Sequence, residues 1–357
     1  MIKILGVMYK SLIIKIIILL LIVSINPSSG IILEKESIEP IYTGSILYVG
    51  GNGPGNFSKI QDAIDNATNG DTVFVFDDSS PYFENVLIDK SINLTGEKRH
   101  STIIDGNQIG NTVVISSNHV NISKFTIQNC SFSSIAGVWG STNYSKISNN
   151  NIFFNNRSGL VLFCSNYNTI SGNIIKSSRW LGVHLGFCNN NIFYRNTIIS
   201  NHHEGFNQYN SHNNTISGNI VSKNEIGINI GKYCKNNTIS GNIVLFNEYG
   251  ICFYESYDKN QIMNNSIRWN MYGLSMQYSY LNRIENNNFV RNVLNAYFEG
   301  YYLHENRTNY WNGNFWNRPR ILPKIIYGNL WTYGPFQREP DFEFDRTPAL
   351  IPNKICE

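Results

Sequence analysis

Apolar and polar positions recur along this chain with a period far longer than that of a helix or a strand. Ile170, Phe193, Ile216, Ile239, Ile262 and Ile284 mark one apolar position, and Ile175, Ile198, Val221, Val244, Ile267 and Phe289 mark a second. Asparagine sits at 150, 173, 196, 219, 242, 265 and 287, five steps of 23 and a final one of 22. A second polar ladder runs Asn155, Ser178, Asn201, Asn224, Asn247, Asn270, Asn292, and glycine follows at 159, 182, 205, 227, 250 and 273. The nine residues NNTISGNIV are written twice, at 213–221 and 236–244. Between these marks lie short β-branched or aromatic stretches without helical spacing, which predicts strands.

A unit of 23 residues has a contour of about 76 Å at ~3.3 Å per residue, enough for three short strands and their turns in one closed coil. The pattern therefore predicts an all-β, single-stranded right-handed parallel β-helix with three parallel sheets and 22–23 residues per coil. A leucine-rich repeat shares the period but needs a leucine framework, and leucine is sparse here. At each corner asparagine is expected to take left-handed backbone angles and to hydrogen-bond the asparagine one coil away. Glycine is expected where φ must be positive or the backbone must approach closely.

A stack of coils exposes strand edges at both ends, and these need covers. Ser58-x-x-Gln61 reads as a capping box opening a short helix with Ile60, Ala63, Ile64 and Ala67 on one face, before an Asn69-Gly70-Asp71 turn. At the far end the repeat dissolves after about Asn295 into the aromatic, proline-bearing NYWNGNFWNRPRILPKIIYG. The resulting organisation is a signal peptide or N-terminal membrane anchor over 1–30, a linker over 31–45, an N-terminal cap over 46–80, coils over 81–300 and a C-terminal cap and tail over 301–357. The leader rests on Lys3, Lys10 and Lys15 before the apolar run Ile16 to Ile25 and the small residues NPSSG. It predicts a secreted or surface protein, held to a membrane only if that segment stays uncleaved.

With 42% hydrophobic and 15% charged residues and a net charge of +3, the chain is globular with a neutral polar surface. Its cations are scattered, which excludes nucleic acid as a partner. A monomer is expected. Of the 6 cysteines, Cys188 and Cys234 share a repeat position 46 residues apart. At ~9.6 Å for two rungs they exceed the ~7 Å reach of a disulfide, so they read as buried thiols.

FSKIQDAIDNATNGDTVFV, YFENVLIDKSINLTGE, the Asn-Gly coils and NYW resemble the NosD-like or CASH-type right-handed β-helix proteins (pectin-lyase fold) of exported microbial, especially archaeal, surfaces. The resemblance covers roughly 46–320 and implies architecture more than activity, because the fold hosts lyases, hydrolases, epimerases, adhesins and binding proteins alike. Calcium-dependent lyases of this fold imply clustered acids, yet between His100 and Gly300 the only aspartates are Asp105 and Asp258. Of the polygalacturonase motifs only an Asp77-Asp78 pair is present, and it reads as a solvated turn. The NosD name implies copper, but Met263, Met271 and Met276 are dispersed; the resemblance leaves at most a surface metal at His202 and His203 and otherwise no cofactor.

One irregularity points to a site. From the second polar ladder to glycine the gap is four residues in three successive coils and three in the next three. Extra residues in a repeat are expected as loops on a binding face. These turns carry Arg157, Arg179, Trp180, His202, His203 and Glu204, a set suited to binding a sugar chain. Glu225 and Glu248 fall on adjacent rungs, ~5 Å apart, the range of a retaining glycosidase pair, or else they are two solvated turn residues. The expected function is a non-enzymatic binder of polysaccharide or cell-surface glycan, or a surface scaffold; the alternative is a polysaccharide lyase, hydrolase or epimerase, and a copper-related role is third. Sequons at Asn93, Asn129, Asn143, Asn213, Asn236 and Asn306 make the chain a candidate glycoprotein, although those inside the ladder are expected to point where no glycan can reach.

Overall fold

The computed structural model describes residues 44–355 except 134, 257–258, 302–307 and 332–337; the expected leader lies outside the described residues. Short strands repeat in threes and build three faces. The first face begins with Ile46–Val49, Thr72–Val75 and Asn93–Gly96 and continues in three-residue strands to Tyr310–Asn312. The second holds eleven strands from Tyr82–Phe83 to Phe315–Trp316. The third runs from Val86–Ile88 to Lys324–Trp331 and has the longest strands. Each strand pairs in parallel with its counterpart one coil on, as in Thr169, Ile192, Thr215 and Thr238, or Ile175, Ile198, Val221 and Val244. The chain is thus the predicted parallel β-helix.

Strand side chains alternate between faces, so a three-residue strand sends its middle residue inward. Both predicted apolar ladders are these middle residues, and all twelve are buried. The longer third-face strands send two residues inward, such as Val183 with Leu185 and Ile228 with Ile230, and leave the residue between them facing out. At one such inward position stands Gln208, fully buried with neither amide atom hydrogen-bonded.

Each corner pairs a left-handed residue with a following asparagine. At the first corner the left-handed residues are Asn149, Gly172, Arg195, Gly218, Gly241 and Asn264, and the asparagines Asn150 to Asn265 come next. The expectation that the ladder asparagines themselves adopt positive φ is therefore corrected. Their neighbours do, even when the neighbour is Phe246 or Trp269, because hydrogen bonds to the coils on either side over-determine the turn. The ladder side chain is used differently: Asn219 Nδ2 donates to Phe193 O and Asn242 Oδ1, while its Oδ1 accepts from Asn196 N and Nδ2.

A third ladder of Asn168, Asn191, Asn214, Asn237, Asn260, Asn282 and Asn309 follows the third face and was missed in the sequence. The repeated NNTISGNIV carries one rung of each of two ladders, Asn214 with Asn219 and then Asn237 with Asn242. The glycine ladder exists for close approach. A Cβ on Gly182, Gly205 or Gly227 would lie 2.7, 2.7 or 3.0 Å from the amide of Asn201, Asn224 or Asn247. Cys188 occupies a rung otherwise held by Ser165 and Ser211, receives Ser165 N and is fully buried; Cys234 is buried as well. Asn213 and Asn236, by contrast, are exposed at the third corner, so those two sequons are not turned inward. They are the corner residues beside the ladder and not its rungs.

The helix at Ile60–Asn66, α1, lies across the first coil with Ile60, Ala63, Ile64 and Ala67 buried. Its start differs from the predicted capping box. No side chain of Lys59 caps it; instead Glu84, from the next coil, accepts from Ile60 N and Gln61 N at 2.9 and 3.0 Å. Gln61 is thereby free to pair with both backbone groups of Leu87, acting as a substitute strand along the open edge of the third face. Asp71, in the predicted turn, accepts from Thr68 and Ser45, and these bonds hold its carboxyl below the ordinary range. Asp77 is more than a solvated acid: it takes Ser101 Oγ and Lys98 Nζ, which pull its pKa down to about 2. At the far end Lys324–Trp331 pairs antiparallel with Arg338–Asp345. That second strand delivers Glu343 to Asn309 and Asp345 to Asn314, ending two ladders on carboxylates.

Candidate functional site

The residues before the third-face strands form a row parallel to the stack. Arg157 lies over the Trp180 ring at 4.8 Å, Trp180 meets His203 edge-on at 4.9 Å, and His203 Nδ1 contacts Glu225 Oε2 at 2.8 Å. The backbone sets this alignment, since Trp180 N donates to Arg157 O, His203 N to Trp180 O and Glu225 N to His203 O. The extra residue of these coils is thus taken up in hydrogen-bonded bends inside the stack and does not project as a loop, contrary to the expectation from the gap lengths. Trp180 is 43% exposed, but Arg157 covers one face and His203 leans on the ring, so its free surface is an edge.

The other candidates lie around this row without joining it. His202 packs against His203 with ring centroids 4.6 Å apart; Arg179 points to solvent. Glu204 opens the next strand and is half-buried, close enough to Cys252 to add to the burial that pushes that thiol up. Glu248 sits one rung beyond Glu225, exposed. The two glutamates therefore differ: Glu225 holds an imidazole and Glu248 is a solvated turn residue.

In the coils of this row the third-face strand starts beside it and ends beside a second row, as Glu204–Tyr209 shows. The second row is aromatic: Phe163 to Phe187, Phe187 to Tyr209 and Tyr209 to Tyr233 lie 5.4, 5.7 and 6.2 Å apart, each edge-on. Between the rows Val161, His184, Asn207 and Asn229 stand in register, a mostly polar floor in which Val161 is buried, and the column continues past the rows through Cys252 and the buried Ser275. His184 is half-buried with Nδ1 unpartnered, and its burial lowers its pKa. Their common repeat position was legible in the sequence, in steps of 23, 22 and 23 from His184 to Cys252. A separate shallow depression of about 280 Å³ on the first face is lined by Lys146, Ser148, Asn149, Ser171, Gly172, Tyr194 and Arg195.

A polar, aromatic-edged face on a parallel β-helix of the pectin-lyase kind is the class that fold and site define. The family model described as "Periplasmic copper-binding protein (NosD)" matches residues 64–245 and 181–321, so the chain belongs to the NosD family. Among solved structures it is similar to a pectate lyase, Pel9A, at 13% identity and TM-score 0.52, over 69% of this chain and 77% of that one. It is also similar to the A-module of the Azotobacter vinelandii mannuronan C-5 epimerase AlgE4, at 15% identity and TM-score 0.52, over 82% of this chain and 94% of that one. No curated protein matches the chain.

The family description raises copper, and the described side chains do not fit it. Among the described residues no group of three or more His, Cys, Asp or Glu converges on one point. His203 Nδ1 is engaged by Glu225, and burial pushes the Cys188 and Cys234 thiols up to about 12, which disfavours the thiolates a soft metal needs.

Proposed function

We propose that this NosD-family protein is exported and binds an extended polysaccharide along its third face, without cleaving it. The observation that carries this reading is the unbroken row Arg157, Trp180, His203 and Glu225, which spans four successive coils beside a polar floor. A site repeated along the stack suits a polymer, whose sugars also repeat, better than a small molecule held in one closed pocket. The two similar structures bear the names of a pectate lyase and a mannuronan epimerase; at 13 and 15% identity they support the fold alone.

One observation favours the enzymatic alternative. His203 is oriented by Glu225 at 2.8 Å, as a proton-abstracting base would be. Against it, Arg157 is stacked on Trp180, and among the described residues Glu225 is the charged partner of that imidazole, so no cation is paired there to neutralise a developing negative charge. Affinity electrophoresis of the full chain through gels carrying neutral and acidic polysaccharides tests the binding reading. Retardation by at least one polymer, weakened in Trp180→Ala, supports it; free migration in every gel overturns it.

A further inference from the structure

We propose that the C-terminal end of the stack docks on the surface of an anionic lipid bilayer. Ile321 and Leu322 stand at the tip of the turn leading into Lys324–Trp331, 91% and 77% exposed. Pro319 and Pro323 flank this tip and restrict its backbone. The strand pair beyond the tip extends the apolar surface. Ile325 pairs with Phe344 and Tyr327 with Phe342, and all four side chains are exposed on the outer side, while Ile326, Glu343 and Asp345 turn inward. The outward rings meet one another, Tyr327 on Phe342 with centroids 5.6 Å apart, on the side away from the stack.

Charge identifies the occupant. The segment 317–327 carries Arg318, Arg320 and Lys324 and no acid, so cations flank the exposed aliphatic pair along the chain, Arg318 exposed and Arg320 and Lys324 half-buried. On the facing strand Asp345, opposite Lys324, and Glu343, opposite Ile326, are buried inward, and Asp341, opposite Gly328, is half-buried at the end of the apolar surface away from Ile321. Apolar side chains that enter the interface, with cations beside them for phosphate headgroups, are the elements of peripheral membrane contact. The Lys324 ammonium already lies over the Tyr327 ring at 5.8 Å, its stem along apolar surface. A second copy of the chain fits less well, because a two-fold contact through this face would bring Arg318, Arg320 and Lys324 against their own counterparts.

Hydrogen exchange of the full chain, with and without vesicles of equal parts phosphatidylcholine and phosphatidylglycerol, locates the contact whatever the leader does. Protection of 318–327 is expected on these vesicles and absent on phosphatidylcholine alone. In co-sedimentation, Ile321→Ser with Leu322→Ser should lower binding about tenfold, and Arg318→Ala with Arg320→Ala should remove its dependence on anionic lipid and on salt. Ile321, Leu322 and Arg318 are exposed and Arg320 is half-buried; the melting of both pairs should match wild type. Unchanged exchange over 318–327, unaltered vesicle binding by the serine pair, or a wild-type dimer in sedimentation velocity that the serine pair dissolves, would each overturn the proposal.

Discussion

Asn155 and Ser178 occupy successive rungs of the second corner ladder, and neither side chain reaches the other: Asn155 Nδ2 and Ser178 Oγ are both buried without a hydrogen-bond partner. From Asn201 to Asn270 each rung donates to an asparagine oxygen one coil on, as Asn201 does to Asn224 and Asn224 to Asn247. Serine is one atom group too short. Gly159 stands before Ser178 as Gly182 stands before Asn201, so the space for a longer side chain exists. Ser178→Asn should therefore stabilise the fold by about 1–2 kcal/mol, read as a raised urea midpoint with unchanged slope. A lowered midpoint would show that the break is needed.

Two glycines test the two reasons for glycine. Gly205→Ala places a methyl 2.7 Å from Asn224 Nδ2 and 2.9 Å from Gly227 O, and should cost about 1–3 kcal/mol. Gly218 has φ +60 with only Arg195 Cγ near, at 4.0 Å, and its column also holds Arg195 and Asn264. Gly218→Asn should cost less than about 1 kcal/mol. Thermal melts of the pair check the order, and equal losses would contradict it.

Glu343 supplies a pH signature. Burial raises its pKa from an ordinary 4.5 to about 7, against the lowering effect of Asn309 and Trp311. Between those values the folded chain holds a proton that the unfolded chain has released, so this group's contribution is complete below about 4.5 and lost as pH rises through about 7. Stability should fall across that window with a slope of up to ~1.4 kcal/mol per pH unit. In Glu343→Gln the slope from this group should vanish, as urea midpoints across the window would show.

The glutamates separate binding from catalysis. In the binding reading, Glu225→Gln and Glu248→Gln leave polysaccharide affinity within about 0.5 kcal/mol of wild type, and no reducing ends or unsaturated products form. In the enzymatic reading Glu225→Gln abolishes turnover and Glu248→Gln does not, because only Glu225 holds His203. Product formation by wild type, silenced in Glu225→Gln alone, would establish the second reading.

The period was legible because it is enforced at several positions at once: twelve buried apolar residues, two ladders and a glycine column all keep it. The third ladder escaped because its rungs sit in pairs such as Asn213-Asn214 and Asn236-Asn237, where composition does not say which residue faces inward. The helix cap escaped because Glu84 is 24 residues from Ile60, and a capping box is a local signal. Positive φ at Phe246, Trp269 and Arg195 contradicts local preference and is imposed by neighbouring coils. Arg157, Trp180 and His203 read in the sequence as loop residues and Glu225 as one of a glutamate pair; their steps of 23, 23 and 22 from Arg157 to Glu225 already placed them one above another.

The ladders have a direction. From Asn150 to Asn314 every rung gives its backbone and side-chain N–H groups to the following coil, and from Asn173 on each takes the same from the preceding one, until Asp345 accepts without giving. Along this ladder any interior coil is consequently interchangeable with a copy of itself, since removing or duplicating one leaves each of the ladder's donors facing an acceptor. Genes for such proteins can lengthen or shorten by whole units and still encode a closed molecule, provided the acidic residue stays last. The aspartate works as a full stop: the array is a sentence whose clauses can be repeated, and only its punctuation has a fixed place.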